Sequence, residues 1–235
     1  MVSLAAMPNV ITAVGALFRA APAASTGSFL GTCFAYKDSG VLVTAAHCVG
    51  DLPPEEVVAV WAGPIVRRVA AIEKHGLADI AVLSVPRLES PIDCFTHALP
   101  YEQLGGDFYA IGFTELVPAG GPYLPMARLH KGYFQRFFDH ENSFWGYHYG
   151  AGEMSIPSPG GLSGGPIFLP SAQQSVIAMV TENVHSATVL DSVEETSESG
   201  KEYKALHYAI VQFGVALMMA PVSGWLENQV SKGAA

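Results

Sequence analysis

The chain has 235 residues, half of them apolar and only 14% charged. That composition excludes a disordered chain, and the length suits one large domain or two small ones sharing an interface. The net charge of −9 argues against nucleic acid as a partner, because phosphates need Lys and Arg to neutralise them.

At the N-terminus, Val10 to Phe18 is an apolar run. Met1 to Asn9 carries no Lys or Arg, and Arg19 follows the run, so the anatomy of a signal peptide is wrong. We read "ITAVGALFRA" as a first strand, with a cytoplasmic location expected and secretion as the alternative. Further short runs follow in order: "FLGTCFAY", "GVLVTAAHCV", "VVAVWAG", "VRRVAAIEKH", "DIAVLSV" and "DFYAIGF". Then come "ARLHKGYFQRF", "FWGYHYG", "GGPIFLP", "SVIAMVTENV" and "ALHYAIVQFGV". They are rich in Val, Ile, Phe and Tyr and are separated by Gly, Pro, Asp or Ser, which is the pattern of an all-β protein.

Helix is scarce: one turn at "AAHCVG" and a C-terminal helix from about Ser223 to Lys232, after Pro221. Pro86 to Gly106 reads as a crossing loop between two halves, residues 8–100 and 101–235. Ser186 to Lys204, with Asp191, Glu194, Glu195, Glu198 and Glu202, reads as a solvated, mobile loop, or as a lid or exosite. No apolar run approaches the roughly 20 residues of a membrane helix, so no membrane partner is expected.

Three segments carry chemistry: "GVLVTAAHCVG" with His47, "ADIAVLSV" with Asp79, and "PGGLSGGPIF" with Ser163. A serine hydroxyl is a poor nucleophile until a histidine takes its proton. A buried carboxylate fixes the imidazole tautomer and stabilises the imidazolium. The tetrahedral oxyanion needs aimed N–H donors, and a Gly-rich turn lets backbone amides point inward. The amides of Gly161 and Ser163 are the candidate donors in "GGLSGG".

"TAAHC", "DIAVL" and "GxSGGP", in the order His, Asp, Ser, resemble the trypsin-like (chymotrypsin-fold) serine peptidases. The resemblance runs from Gly31 to about Ile210. It implies two antiparallel six-stranded β-barrels, with a short C-terminal helix. His47 and Asp79 would come from the first barrel and Ser163 from the second. It implies an acyl-enzyme mechanism on a protein or peptide substrate, with no cofactor.

The departures are informative. Animal members carry an Asp just before the nucleophile that pairs with a freshly cut N-terminus. Leu162 stands there, so that zymogen switch is not expected, and the chain looks more like compact bacterial-type members. Six residues before Ser163, where Arg- or Lys-specific members have an Asp, stands Pro157, followed by Ser158. Thr181, Glu182, Asn183 and Leu206 (or His207) would complete an uncharged pocket for the P1 side chain, the one preceding the scissile bond. Glu182 at the rim leaves a basic preference open. The family often bridges a cysteine after the catalytic His to the preceding strand. Cys33 does not match that position cleanly, and Cys33 and Cys48 either bridge or remain buried thiols.

His130, His140, Glu141 and His148 match no short zinc signature, so no metal is expected. Two other readings compete with the peptidase: a scaffold of this fold that binds a partner through its groove, and hydrolysis of non-peptide esters or amides. A cytoplasmic peptidase without a prosegment would need restraint by narrow specificity or by an activating or restraining protein partner.

Overall fold

The computed structural model describes residues 8–20, 26–61, 66–87, 94–114, 126–196 and 202–233. The side chains of residues 8, 9, 26, 27, 38, 39, 188–196 and 202–209 fall outside the description.

A short helix, α1 (Pro8–Thr12), leads into β1 (Val14–Ala20). Ile11 and Thr12, expected in the first strand, are therefore helical. β1 pairs with β2 (Thr26–Tyr36) on one side and β4 (Val57–Val60) on the other. β3 (Asp38–Thr44), β5 (Val66–Arg68), β6 (Ala71–Lys74) and β7 (Ala81–Ser84) complete a sheet in the order β5-β4-β1-β2-β3-β7-β6. The one-turn helix α2 (Ala46–Val49) follows β3. Strands such as "VGALF" and "AVL" are buried almost throughout, because this sheet curls and its inner face is filled by their side chains.

The second sheet contains β8 (His97–Ala98), β9 (Asp107–Thr114), β10 (Met126–Asn142), β11 (Tyr147–Met154) and β12 (Pro166–Leu169). β13 (Ala172–Thr196) and β14 (Glu202–Met218) finish it, in the order β12-β9-β10-β11-β14-β13-β8. An additional β12–β13 pairing closes the sheet on itself. The two curled sheets and the short C-terminal helix α3 (Ser223–Gly233) match the expected chymotrypsin-like double-barrel architecture. Each sheet has seven strands among the described residues rather than six. In the second, the extra member is β8, two residues of the crossing segment paired parallel to β13.

Phe95, on that crossing segment, packs edge-on against Phe34 of β2 at 5.3 Å and tilted against Phe168 of β12 at 5.9 Å. It is 1% exposed, so the connection between the sheets is itself part of the core. α3 returns to the first sheet. Leu226 is buried there, Tyr36 Oη donates to Glu227 at 3.0 Å, and Trp225 meets His75 edge-on at 5.1 Å.

The acidic segment Ser186 to Lys204 is not the loop expected. β13 and β14 continue past the barrel as a two-stranded ribbon, paired from Glu182↔Val215 out to Thr196↔Glu202. Residues 197–201 lie outside the described residues. The sparse apolar content suggested solvation, but β-branched Thr188, Val189, Val193 and Thr196 favour strand. The register sets Glu194 opposite Lys204.

Candidate active site

β3 ends at Thr44, and the α2 turn then projects His47 toward Asp79, which precedes β7. β3 and β7 are paired through Thr44↔Ala81, so the two segments start from adjacent strand ends. His47 Nδ1 lies 2.6 Å from Asp79 Oδ2, and the His47 backbone N–H donates to Asp79 Oδ1 at 3.0 Å. Asp79 is 3% exposed, so its two oxygens hold both the ring and the backbone of His47. Burial disfavours charge on the imidazole, but the Asp79 bond and the Cys48 thiol outweigh it and raise the His47 pKa above its ordinary value.

Ser163 sits in the turn before β12. Gly161 (φ 91°) and Gly164 (φ 84°) both occupy the left-handed region that glycine tolerates. The Leu162 amide donates to Pro159 O, and the Gly164 amide to Val180 O. The Gly161 and Ser163 amides donate to no carbonyl among the described residues. Leu162 is fully buried in the core of the second sheet, where a charged residue would lack a counter-ion.

Thr32 of β2, which the sequence gave no reason to single out, fastens this turn to the first sheet. Its N–H donates to Ser163 O at 2.9 Å, and its hydroxyl donates to Gly161 O at 2.8 Å. The same hydroxyl accepts from Phe113 N at 2.8 Å, and Thr44 Oγ1 donates to Thr32 O at 2.7 Å. Thr32 is completely buried, so each of these groups depends on the others.

The Ser163 hydroxyl donates to Thr181 O at 2.6 Å and not to His47. His47 Nε2 instead lies 3.8 Å from Cys48 Sγ, which also approaches Ser163 O at 3.6 Å. Cys33 and Cys48 are both free and buried. A Cβ added to Gly31 would lie 2.7 Å from Cys48 Sγ, so Gly31, not Cys33, occupies the place facing Cys48.

The expected pocket residues divide. Thr181, Glu182 and Asn183 follow the β12-paired part of β13; Thr181 lies beside Ser163, and Asn183 reaches Ser158. Asn183 Oδ1 accepts from Ser158 N at 2.6 Å, and its amide donates to Ser158 O at 2.5 Å. That side chain stitches the two expected pocket walls together. Pro157 is exposed beside them. Leu206 does not belong to this group. The register pairs it with Ser192 and His207 with Asp191, far along the ribbon, and their side chains lie outside the description. Gly214 is the β14 residue opposite Asn183.

Glu182 is fully engaged. His140 Nε2 lies 2.5 Å from Oε1, and the Asn142 amide donates to both carboxylate oxygens at 3.1 and 3.0 Å. Tyr149 donates to Thr181 Oγ1 at 3.1 Å and to Glu182 Oε1 at 3.4 Å. Burial opposes the charge, yet the bonds from His140 and Asn142 hold the Glu182 carboxyl below its ordinary value. Asn142 Oδ1 also accepts from the Phe144 and Trp145 amides, fixing the β10–β11 turn. Trp145 thereby stacks on His47, with ring centroids 6.3 Å apart, and the His148 amide donates to Leu77 O.

A family model described as a trypsin-like peptidase domain matches residues 31–179. The chain belongs to the trypsin-like peptidase family. The solved structures of similar fold include the Rv3671c protease of M. tuberculosis in an active form (TM-score 0.62, 19% identity, covering 96% of this chain and 86% of that one). The same protease in an inactive form gives TM-score 0.58 at 17% identity, covering 96% and 95%. The apo MamO protease domain of Magnetospirillum magneticum gives 0.61 at 16% identity, covering 92% and 97%. No curated protein matches the chain significantly by sequence. Family membership supports a peptidase-type hydrolase acting on protein or peptide substrates.

Thr32→Val keeps the shape and deletes a buried hydroxyl that serves Gly161 O and Phe113 N. The variant is expected to lose about 1–3 kcal/mol of stability. Thermal unfolding checks this as a Tm lower by several degrees.

Proposed function

We propose that this trypsin-like peptidase is a serine endopeptidase working through an acyl-enzyme, with Ser163 as nucleophile, His47 as proton shuttle and Asp79 as its orienting carboxylate. The observation that carries the reading is the buried Asp79 holding His47 Nδ1 at 2.6 Å, which directs the opposite nitrogen, Nε2, away from it. The open amides of Gly161 and Ser163 would receive the oxyanion.

In the resting arrangement Ser163 Oγ is bonded to Thr181 O. Reaction requires the hydroxyl to leave that carbonyl and turn toward His47 Nε2. Ser163 then loses its proton to His47 as its oxygen attacks the peptide carbonyl. The same proton passes to the leaving amine, and water repeats the sequence to release the acyl group. Substrate lying antiparallel to β13 offers its P1 N–H to Thr181 O, and so displaces the hydroxyl.

The same resting bond is what favours the competing reading, a latent or partner-binding peptidase fold. We place it second because the buried Asp79 already holds His47. Leu162, buried where animal relatives carry an Asp, supports a peptidase without N-terminal zymogen activation. The Asn183–Ser158 bridge ties the two expected pocket walls together, which supports a small uncharged P1 residue. Glu182 is already committed to His140 and Asn142 and does not supply a free charge for a basic P1.

Labelling by a fluorophosphonate probe tests the nucleophile. Wild type is expected to react, and Ser163→Ala and His47→Ala are expected not to; a folded wild type that stays unlabelled would favour the latent reading. Asn183→Gly is expected to open the pocket and shift a P1 peptide library from Ala and Ser toward larger residues. An unchanged P1 profile would remove the bridge as the determinant. His47 must be neutral to accept a proton, so its raised pKa moves the onset of activity toward alkaline pH. The rising limb of kcat/KM is expected with an apparent pKa above the ordinary histidine value of about 6.5.

A further inference from the structure

β6 and β7 are paired as far as Lys74↔Ala81, and residues 75–80 connect them. The connection is closed by its own groups. The His75 N–H donates to Ile80 O at 3.0 Å, and the Ile80 N–H donates to Ala78 O at 2.8 Å. Inside it, His75 Nδ1 accepts from the Leu77 N–H at 3.1 Å and from the Ala78 N–H at 2.9 Å. The next residue in the chain is Asp79. Ala78 is 2% exposed and Asp79 3%, so the Ala78 N–H has no solvent to bond if the imidazole withdraws.

An acceptor nitrogen needs its lone pair, so His75 must be neutral with its proton on Nε2. Burial keeps its pKa below the ordinary histidine value, which favours that neutral form. Trp225 of α3 packs edge-on against the ring at 5.1 Å and holds it in place. The connection also reaches the other side of His47. Leu77 O accepts the His148 N–H at 2.8 Å, which fastens the β10–β11 turn whose Trp145 stacks on His47. The two histidines use Nδ1 in opposite senses: His75 Nδ1 accepts from the backbone, whereas His47 Nδ1 faces the Asp79 carboxylate.

We propose that His75 is a positioning residue for the proposed reaction: its Nδ1 lone pair gathers the Leu77 and Ala78 amides and so aims the Asp79 carboxylate at His47. Loss of that acceptor leaves two N–H groups without a partner, one of them buried, and the connection must open to solvate them. Asp79 then leaves the place from which its two oxygens hold the ring and the backbone of His47. Among the described residues His75 bonds to neither His47 nor Ser163, so it acts through Asp79 and the β10–β11 turn. Its part in turnover rests on the peptidase reading, but the aim of Asp79 is measurable without turnover.

Asn and Phe at this position separate the acceptor from the ring. Asn Oδ1 stands as many bonds from Cβ as His Nδ1 does, and accepts N–H groups a few residues further on. Phe keeps a ring for Trp225 and has no acceptor. Two readouts are taken on the full chain, well below the unfolding temperature of each variant. One is the rate of fluorophosphonate labelling at Ser163. The other is the proton NMR signal of the His47 Nδ1–H held by Asp79, which a short hydrogen bond moves far downfield. In His75→Phe the labelling rate is expected to fall by roughly tenfold to a hundredfold, and the His47 signal to weaken or move upfield. In His75→Asn both are expected to stay near wild type, even where its Tm falls with the lost ring. A purely structural role would instead give the larger loss to whichever variant has the lower Tm. Wild-type rate and signal in a folded His75→Phe, or equal losses in both variants, overturn the proposal. If the Phe variant does not fold, the unaltered protein decides. Nitrogen NMR is expected to show His75 Nδ1 bare and Nε2 protonated, and a proton on Nδ1 overturns the proposal. Absence of labelling in wild type defeats the peptidase reading separately, and the His47 signal then still tests the aim of Asp79.

Discussion

Thr32 is the point on which the geometry turns. One buried residue of the first sheet gives its N–H to Ser163 O and its hydroxyl to Gly161 O, while accepting from Phe113 of the second sheet. The turn around Ser163 is rich in glycines, which have the largest conformational freedom to lose. Without an outside anchor, the turn would not keep two amides aimed at one point. Thr44, at the end of the strand that delivers His47, closes the chain of bonds by donating to Thr32 O. The segments carrying His47 and Ser163 are therefore held in register by a short, water-excluded network.

A second network governs the face where substrate would lie. Asn142 binds Glu182 with one end of its amide and the Phe144 and Trp145 amides with the other. It thereby couples the strand beside Ser163 to the aromatic turn stacked on His47. Tyr149, buried beneath both, donates to Thr181 and Glu182. Thr181 is thus positioned from three directions, and its carbonyl is the acceptor that the Ser163 hydroxyl occupies. A single carbonyl links the resting position of the proposed nucleophile to the edge on which a peptide would pair.

Much of this was legible in the residues. Strand content followed from short Val-, Ile- and aromatic-rich runs between turn formers, because a pleated half-buried surface selects those residues locally. His47, Asp79 and Ser163 stood in short segments whose chemistry depends on neighbours in sequence, and the helix after Pro221 had a local stop signal ahead of it. The acidic composition of the ribbon reads as a linker from sequence alone. Its partner strand, β14, comes only later in the chain. Leu206 is expected in the pocket from its strand, whereas the register sets Gly214 opposite Asn183 and Leu206 opposite Ser192.

The sequence by itself determined the architecture, the family and the three residues proposed for chemistry, since each rests on local pattern or on a short motif. Only the tertiary structure decided that Thr32 anchors the turn around Ser163, that Asn183 bridges to Ser158, and that Gly31 faces Cys48. It also decided that Ser163 rests on Thr181 and that Trp145 covers His47. The reason is physical: these contacts join residues far apart in the chain, and each is a hydrogen bond or packing contact whose direction depends on how two curled sheets meet. A threonine in a strand has the same local preferences whether its hydroxyl faces solvent or holds a carbonyl from the opposite sheet.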